Sequence, residues 1–277
     1  MMQATLSQAL HFEGVGLHTG ERAAVEAYPA EPDAGLSFVL GATRVPATVE
    51  NVRDTSRATV LGRDGSSVST TEHLLSALFA MGVTNAEIHV TGPEIPALDG
   101  SSADFVTAIL AGGVRTQPVQ RRVLELAEPL YVEAGDRMMI ALPAERFRVR
   151  FVADFAPPIG TQYYFGEIEP DAYREEIAGA RTFAYLHEIK ALWERGLGRG
   201  GSLDNALVFA PDGPLTPLRW PNEVVRHKVL DLIGDFALLG AWPQCEVVAV
   251  KSGHRLHAQV TRALRAETAQ TRGVRGA

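Results

Sequence analysis

The chain has 277 residues, of which 46% are apolar and 21% are charged, and its formal net charge is -7 at pH 7. This composition is typical of a globular protein with one or two cores, and it disfavours disordered, collagen-like and coiled-coil classes. The acidic balance disfavours nucleic-acid binding, and the single cysteine, Cys245, excludes an internal disulfide and a cysteine-rich metal site.

The first residues, MMQATL, do not combine a basic segment with an apolar one, so we expect no signal peptide. No apolar run reaches the roughly 18 residues that a membrane-spanning helix needs. The sequence therefore predicts a cytoplasmic protein with peripheral membrane contact at most, and no obligate protein partner is evident.

Short alternating or β-branched runs predict strands, and apolar residues at helical spacing predict helices. In chain order, strands are predicted at residues 23–28, 36–40 and 58–61, a helix at 72–81, a strand at 87–91 and a helix at 102–111. Then come strands at 138–142 and 148–154, a helical turn at 173–177, helices at 186–195 and 223–239, a strand at 246–251 and a helix at 256–265. The polar tail after Glu267 is predicted to fray.

Two stretches share one order of elements. The helix that starts with Glu72 is followed by a strand and a glycine turn, and so is the helix at 223–239. Strands and helices do not alternate regularly, so an α+β fold is favoured over a doubly wound parallel sheet. We predict two related α+β domains, at residues 1–120 and 121–277.

His227 and Asp231 are four residues apart on the longest predicted helix. At this spacing both side chains lie on one face and can point at one metal ion. Asp235 lies one turn further along, and Lys228 is adjacent. The alternative is the exposed stripe of an amphipathic helix, but the apolar residues between these positions argue against simple exposure.

Glu72 and His73 open the first predicted helix. A catalytic zinc takes three protein ligands, and a glutamate beside it can act as the base for water. Glu72, His73, His227 and Asp231 supply these four roles, although spacing alone does not show that the two helices meet. The alternative is a capping box, in which Glu72 pairs with Ser69 and only closes the helix end.

Other histidines carry weaker signals. His254 follows a predicted strand, where Gly253 permits a tight turn, and it could act as an acid or an oxyanion partner; the alternative is a loop histidine without a role. His18 lies in the glycine turn GVGLHTG, whose backbone N–H groups could approach a phosphate. No usable motif surrounds His11, His89, His187 and His257.

Seven segments, in this order, resemble the UDP-3-O-acyl-N-acetylglucosamine deacetylases, the zinc amidases of lipid A biosynthesis. They are residues 14–20 (GVGLHTG), 70–74 (TTEHL), 94–101 (EIPALDGS), 180–183 (ARTF), 199–206 (RGGSLDNA), 226–235 (RHKVLDLIGD) and 251–254 (KSGH). The similarity runs from about Thr5 to about Leu264. It implies two similar α+β sandwich domains, each with a small insert, and an active site between them.

The resemblance also implies the reaction and the site. The N-acetyl amide of a UDP-3-O-acyl-N-acetylglucosamine would be hydrolysed with release of acetate, with one Zn²⁺ per chain (or Fe²⁺). The implied metal ligands are His73, His227 and Asp231.

Implied catalytic roles fall to four further residues. Glu72 resembles the general base, and His254 resembles the charged partner of the oxyanion and the leaving amine. Asp235 would orient His254, and Thr182 would help to hold the oxyanion. The implied substrate contacts, including the apolar acyl passage, are Lys228, Phe183, Tyr185, Ile189, Gly201 and Ser202.

Three departures from the family pattern are visible. Ala184 and Tyr185 stand where Gly and Phe are usual, so that Tyr185 adds a hydroxyl beside the acyl passage. Arg255 and His257 replace a small and an amide residue, and the arginine-rich end after Leu264 is not family-like. Two other interpretations are a different zinc amidase or peptidase and a non-catalytic module that binds nucleotide sugars or acyl chains. The pair of Glu72 and His254 favours an enzyme.

Overall fold

The computed structural model describes the backbone of residues 1–274 and the side chains of residues 1–267. The first part of the chain contains strands β1 (Met2–Leu6), β2 (Leu10–Val15), β3 (Arg22–Pro29), β4 (Leu36–Leu40), β5 (Thr43–Pro46), β6 (Val52–Asp54), β7 (Val60–Arg63) and β8 (Ser66–Val68), helix α1 (Glu72–Ala80), strand β9 (Ala86–Thr91), helix α2 (Ala103–Gly112) and strand β10 (Val114–Gln120).

The second part contains strands β11 (Val123–Glu125), β12 (Leu130–Ala134), β13 (Arg137–Pro143), β14 (Arg148–Asp154) and β15 (Thr161–Glu167), helix α3 (Pro170–Glu176), strand β16 (Phe183–Tyr185), helix α4 (Ile189–Glu194), strands β17 (Leu207–Ala210) and β18 (Gly213–Pro214), helix α5 (Glu223–Ala237), strand β19 (Trp242–Val250) and helix α6 (His254–Val274). Short 3-10 turns occupy Val49–Asn51 and Leu186–Glu188.

Two five-strand arrangements with the same strand order form the main sheets. In the first, the order is β2-β3-β9-β4-β5, and in the second it is β12-β13-β19-β14-β15, with β11 also pairing with β19. In each, the central strand is antiparallel to one neighbour and parallel to the other. The predicted α+β class is confirmed, and the repeat seen in the sequence reflects this shared topology. The division at residue 120 stays a prediction.

Helices α1 and α5 pack directly against each other, with α2 beside α1 and α6 beside α5. Every residue of α1 is buried, which explains why it is apolar around most of its circumference. Gly234 permits the close approach of α5, because a Cβ there would lie 2.1 Å from the carbonyl oxygen of Glu72. This contact brings the first turn of α1 to the middle of α5.

Each half carries an insert between the strand at one edge of its main sheet, β5 or β15, and the long helix that precedes the central strand. The first insert is the three-stranded sheet β6-β7-β8, before α1. The second lies between β15 and α5 and contains the sheet β16-β17-β18 with helix α4. The two inserts differ in content: the second supplies most of the apolar surface of the cavity described below.

Several element boundaries differ from the sequence prediction. The helix predicted at 186–195 is a 3-10 turn followed by the shorter α4, and the strand predicted at 58–61 begins two residues later, at Val60. Helix α6 starts at His254, two residues before the predicted start, and its backbone continues to Val274 rather than ending near residue 265. The fraying predicted after Glu267 is wrong for the backbone up to Val274, which is helical, and residues 275–277 lie outside the described residues. Within the described part, no helix is both long and apolar enough to cross a membrane.

Many short strands were not predicted, among them β1, β2, β5 and β10. These strands mix polar residues with apolar ones, and β5 and β10 also contain proline, so alternation along the chain is weak and pairing with a neighbour decides their structure.

Candidate active site

Glu72 and His73 occupy the first turn of α1, but not as a capping box. The N-cap residue is Thr71, without a side-chain capping bond, and Glu72 is the first helical residue. Thr70 has a positive φ of 56°, which separates Ser69 from the helix start. The carboxylate of Glu72 instead accepts a hydrogen bond from the backbone N–H of Thr59 at 3.0 Å. The capping-box interpretation is therefore wrong, and Glu72 is free to face the space between α1 and α5.

His73, His227 and Asp231 bring one nitrogen or oxygen each to a common point. The Nε2 atoms of His73 and His227 lie 3.7 and 3.5 Å from Oδ1 of Asp231. Two ligands of a tetrahedral zinc, each about 2.1 Å from the ion, are separated by about 3.4 Å. The three side chains therefore have the spacing and the chemistry of a divalent metal site.

The protonation of these residues suits metal ligation. Nδ1 of His227 lies 3.0 Å from the carbonyl oxygen of Ala180, so Nδ1 carries the proton and Nε2 is free. Burial lowers the pKa of His73 to about 3 and also lowers the pKa of His227, which keeps both rings neutral. Burial alone would raise the pKa of Asp231, but Lys228, which contacts its carboxylate, and the nearby histidines hold that pKa far below the usual value.

Glu72 and His254 face each other beside this group. Nε2 of His254 lies 3.7 Å from Oε1 of Glu72 and 3.9 Å from Oδ2 of Asp231. Burial raises the pKa of Glu72 to about 8. Burial alone would lower the pKa of His254, but the negative charges of Asp235, Glu72 and Asp231 outweigh it and raise that pKa to about 9. The histidine therefore holds a proton in the range where Glu72 ionises.

Asp235 lies behind His254, as expected from its place on α5. Its Oδ2 is 2.8 Å from Nδ1 of His254, and its Oδ1 accepts a 2.5 Å hydrogen bond from the hydroxyl of Thr59. Burial alone would raise the pKa of Asp235, but His254 and His257 lower it to about 2, so the carboxylate is ionised. Sequence reasoning missed Thr59 and His257 in this network. His257 could have been found if α6 had been predicted to start at His254, since the two are one turn apart.

A cavity of about 510 Å³ opens above these groups. Glu72, His73, His227, Asp231 and His254 line one end. The remaining surface is mainly apolar and comes largely from the second insert. All seven predicted oxyanion and substrate contacts line the cavity: Thr182, Phe183, Tyr185, Ile189, Gly201, Ser202 and Lys228. Asp235 is not part of the lining and touches the site through His254.

Two aromatic side chains shape the wall between the polar end and the apolar part. The ring of Phe183 packs edge-on against His227, at a centroid distance of 6.1 Å, and against Phe155 at 5.1 Å. The hydroxyl of Tyr185 donates a 2.5 Å hydrogen bond to the carbonyl oxygen of Ala156. Its polar atom is thereby satisfied within the wall, and the ring contributes an apolar surface.

The glycine turn around His18 does not offer its N–H groups to a ligand. The backbone N–H groups of His18 and Thr19 donate to the buried carboxylate of Glu94 at 2.8 to 3.1 Å. Thr70 donates to the same carboxylate at 2.7 Å. The predicted approach of a phosphate to these N–H groups is therefore wrong, because an internal anion occupies them. The side chain of His18 does line the cavity.

Comparison with known proteins gives consistent matches over nearly the whole chain. The sequence profile of the UDP-3-O-acyl N-acetylglycosamine deacetylases matches residues 3–266. The UDP-3-O-acyl-N-acetylglucosamine deacetylase of Syntrophotalea carbinolica is 44% identical over 265 residues, covering 93% of this chain and 86% of that protein. The protein of that name from Nostoc sp. is 44% identical over 271 residues (94% and 97%), and the one from Anaeromyxobacter dehalogenans is 41% identical over 279 residues (99% and 90%).

Proposed function

The chain belongs to the UDP-3-O-acyl N-acetylglycosamine deacetylase family, and from that premise we propose that it hydrolyses the N-acetyl amide of UDP-3-O-acyl-N-acetylglucosamine in lipid A biosynthesis. The products are acetate and UDP-3-O-acyl-glucosamine. One observation carries the proposal: two histidines and an aspartate that could hold a metal, a glutamate that faces a histidine, and an apolar cavity meet at one point of the structure. The cytoplasmic location expected from the sequence is part of the same proposal.

His73, His227 and Asp231 would hold one divalent ion per chain. Two imidazoles and one carboxylate suit zinc, and they also accept ferrous iron. When bound, the ion acts as a Lewis acid toward the amide carbonyl and its attacking water. The three ligands are buried, and all three line the polar end of the cavity, which supports this assignment.

Glu72 is the general base of the proposed reaction. Its carboxylate takes a proton from water while the water oxygen forms a bond to the carbonyl carbon. The backbone N–H of Thr59 holds this carboxylate in place. Burial raises the pKa of Glu72 to about 8 in the metal-free protein, and this burial makes the ionised carboxylate a stronger base than an exposed one.

His254 and Thr182 stabilise the tetrahedral oxyanion. The protonated imidazole supplies a positive charge, and Thr182 supplies a hydroxyl on the same cavity surface. The C–N bond then breaks, and the leaving amine receives a proton from His254 or Glu72. Asp235 keeps His254 charged until that transfer.

The apolar part of the cavity takes the 3-O-acyl chain. Phe183, Tyr185 and Ile189 form part of its wall, and Gly201 and Ser202 lie on the same surface. Lys228 lies at the polar end, where its ammonium can meet an oxygen of the substrate. Binding of the acyl chain at one end and of the amide at the other would orient the scissile bond.

The direct test incubates the purified, metal-loaded protein with UDP-3-O-acyl-N-acetylglucosamine and measures acetate and free amine. We expect both products in equal amounts. An N-acetylated peptide serves as the control for a general amidase and should release no acetate. Binding of the nucleotide sugar without acetate release would instead favour a binding module, and preferential cleavage of the peptide would favour a different amidase.

A further inference from the structure

The carboxylate of Asp235 lies between two imidazoles of the first turn of α6. Nδ1 of His254 is 2.8 Å and Nδ1 of His257 is 2.7 Å from the same oxygen, Oδ2. Residues three apart on a helix share a face, so both rings reach one carboxylate. Only His254 also lines the cavity. The imidazole of His257 therefore contacts Asp235 without facing the cavity.

The hydrogen-bond pattern determines which nitrogen of His257 carries a proton. An ionised carboxylate can only accept hydrogen bonds, so Nδ1 of His257 is the donor to Asp235. Nε2 lies 3.0 Å from the hydroxyl oxygen of Ser252, which can donate to it. Burial lowers the pKa of His257, so the ring is neutral near pH 7. Asp235 thus gains a donor without gaining a second positive charge.

The position of His257 leaves its ring little freedom. The side chain is fully buried, with 0% of its surface exposed. The ring packs edge-on against Phe151 at a centroid distance of 6.4 Å. Its backbone N–H is bonded to the carbonyl oxygen of Gly253 at 3.0 Å. A donor held this rigidly can determine the orientation of the carboxylate that it contacts.

Asp235, His254 and His257 could be taken for a second metal site, since they offer three ligand groups close together. Their distances argue otherwise. Both Nδ1···Oδ2 separations are those of hydrogen bonds. Ligands of one tetrahedral ion would be about 3.4 Å apart. These three side chains are therefore joined by hydrogen bonds and do not form a metal site.

We propose that His257 is a positioning residue for the deacetylase reaction: its neutral Nδ1–H holds Oδ2 of Asp235 toward His254, and so directs Nε2 of His254 at the substrate. The inference rests on the proposed function. Without this donor, Oδ2 keeps only His254 as a partner, and the carboxylate keeps two of its three hydrogen bonds, the other being that from the Thr59 hydroxyl to Oδ1. Its terminal torsion is then less restrained. His254 would then lose the fixed direction from which it faces Glu72.

Two substitutions separate positioning from packing. His257→Asn keeps a neutral N–H donor the same number of bonds from Cα, whereas His257→Leu fills the space without a donor. For His257→Leu we expect about a tenfold loss in kcat, with KM and metal content unchanged. His257→Asn should stay within about threefold of the wild type. Equal losses in the two variants, or a change in KM alone, would overturn the proposal.

The same substitution in an Asp235→Asn background tests whether His257 acts through Asp235. If it does, His257→Leu should lower kcat no further in that background, because the two residues form one unit. A full additional tenfold loss there would show that His257 acts by another route.

Nitrogen-15 NMR of the histidine rings in the metal-loaded protein tests the proposal without using activity. We expect His257 to be protonated on Nδ1 and unprotonated on Nε2, and Ser252→Ala to perturb the Nε2 signal selectively. An Nε2–H tautomer or a charged ring near pH 7 would refute the positioning role. This measurement stands even if His257→Leu does not fold, and failure of the proposed function would be recognised separately, as a wild-type protein that releases no acetate.

Discussion

The two halves of the molecule repeat one scaffold and use it in different ways. In each half a helix precedes the central strand, and a turn after that strand leads into a second helix. In the first half the turn carries Glu94, whose carboxylate accepts hydrogen bonds from two backbone N–H groups and two threonine hydroxyls. In the second half the turn leads to His254, whose Nε2 faces the cavity. The same scaffold position thus holds an internal loop contact in one half and a histidine that faces the cavity in the other.

The two inserts also differ in what they contribute to the site. The first insert, through Thr59 at its β7 end, bonds both Glu72 and Asp235 and so supports the polar groups. The second insert supplies apolar side chains to the cavity. The first half therefore contributes the proposed base and one proposed metal ligand. The second half contributes two proposed ligands, the pair of His254 and Asp235, and most of the apolar cavity wall. Activity should depend on groups from both halves.

The largest effect is expected when a metal ligand is removed from either half. His73→Ala and His227→Ala should each lower the metal content from about one ion per chain to a small fraction, with a loss of at least about a thousandfold in activity. Elemental analysis after gel filtration measures the metal. Chelation of the wild type should abolish activity, and added zinc should restore it.

His89→Ala is the matched control in the first half, since His89 lies on β9, bonds Glu87 and does not line the cavity. This variant should keep metal and activity. Full metal occupancy in His73→Ala would mean that the first half only supports a site held by the second.

Next in size is the loss of the base that the first half supplies. Glu72→Gln should lower kcat by about a hundredfold or more. Metal content and melting temperature should stay near those of the wild type, because the amide oxygen can still accept the N–H of Thr59. Steady-state kinetics and thermal melting measure the two properties. Retained activity with a large loss of stability would make Glu72 a structural residue.

The same variant has a pH signature in the metal-free protein. Burial raises the pKa of Glu72 from 4.5 to about 8, so its neutral form is favoured by folding. The wild type should therefore lose stability relative to Glu72→Gln as the pH rises between these two values. Parallel melting curves across that range would contradict the burial of the carboxyl.

A smaller effect is expected from changing Asp235, which pairs with His254, the proposed acid of the second half. Asp235→Asn should keep the metal and lower kcat by about tenfold. Asp235 is among the charges that raise the pKa of His254 to about 9, so its loss should move the alkaline limb of the pH–rate profile to lower pH. The acid limb, assigned to Glu72, should move less, because burial dominates that pKa.

The coupling between Asp235 and His254 can be measured with a double variant. Asp235→Asn combined with His254→Ala should be little worse than His254→Ala alone. Loss of metal in Asp235→Asn would place Asp235 in the coordination shell. If the alkaline limb of the pH–rate profile did not move, Asp235 would have no effect on the pKa of His254.

The smallest effect concerns the two inserts. Ser202→Phe, in the second insert, should raise KM by about tenfold for a long-chain substrate and by less than about twofold for a short-chain one. Ser67→Phe, on an exposed position of β8 in the first insert, is the matched control and should change neither. Equal effects on both substrates would mean that residue 202 acts on packing rather than on the acyl cavity.

Much of the fold and of the ligand set could be predicted along the chain. Helices α1 and α5 and the two central strands follow from periodicity, because spacing within one element determines which side chains share a face. The same rule placed His227, Asp231 and Asp235 on one stripe of α5. The family resemblance added the roles of Thr182, His254 and the second insert, and these roles stay predictions that the geometry supports.

Contacts between elements were decided only by the tertiary structure. The sequence could not distinguish a Glu72 that caps the helix from a Glu72 that acts as a base, because both have the same residue spacing. It also could not distinguish a turn at His18 that binds phosphate from one whose N–H groups bind Glu94. Gly234 lets α5 approach the start of α1, and this contact brings His73 to His227. Thr59 joins Asp235 from an insert 176 residues away in the chain, and His257 joins it from the next helix, 22 residues away. Sequence spacing determines geometry inside an element, but distances between elements depend on how their surfaces pack.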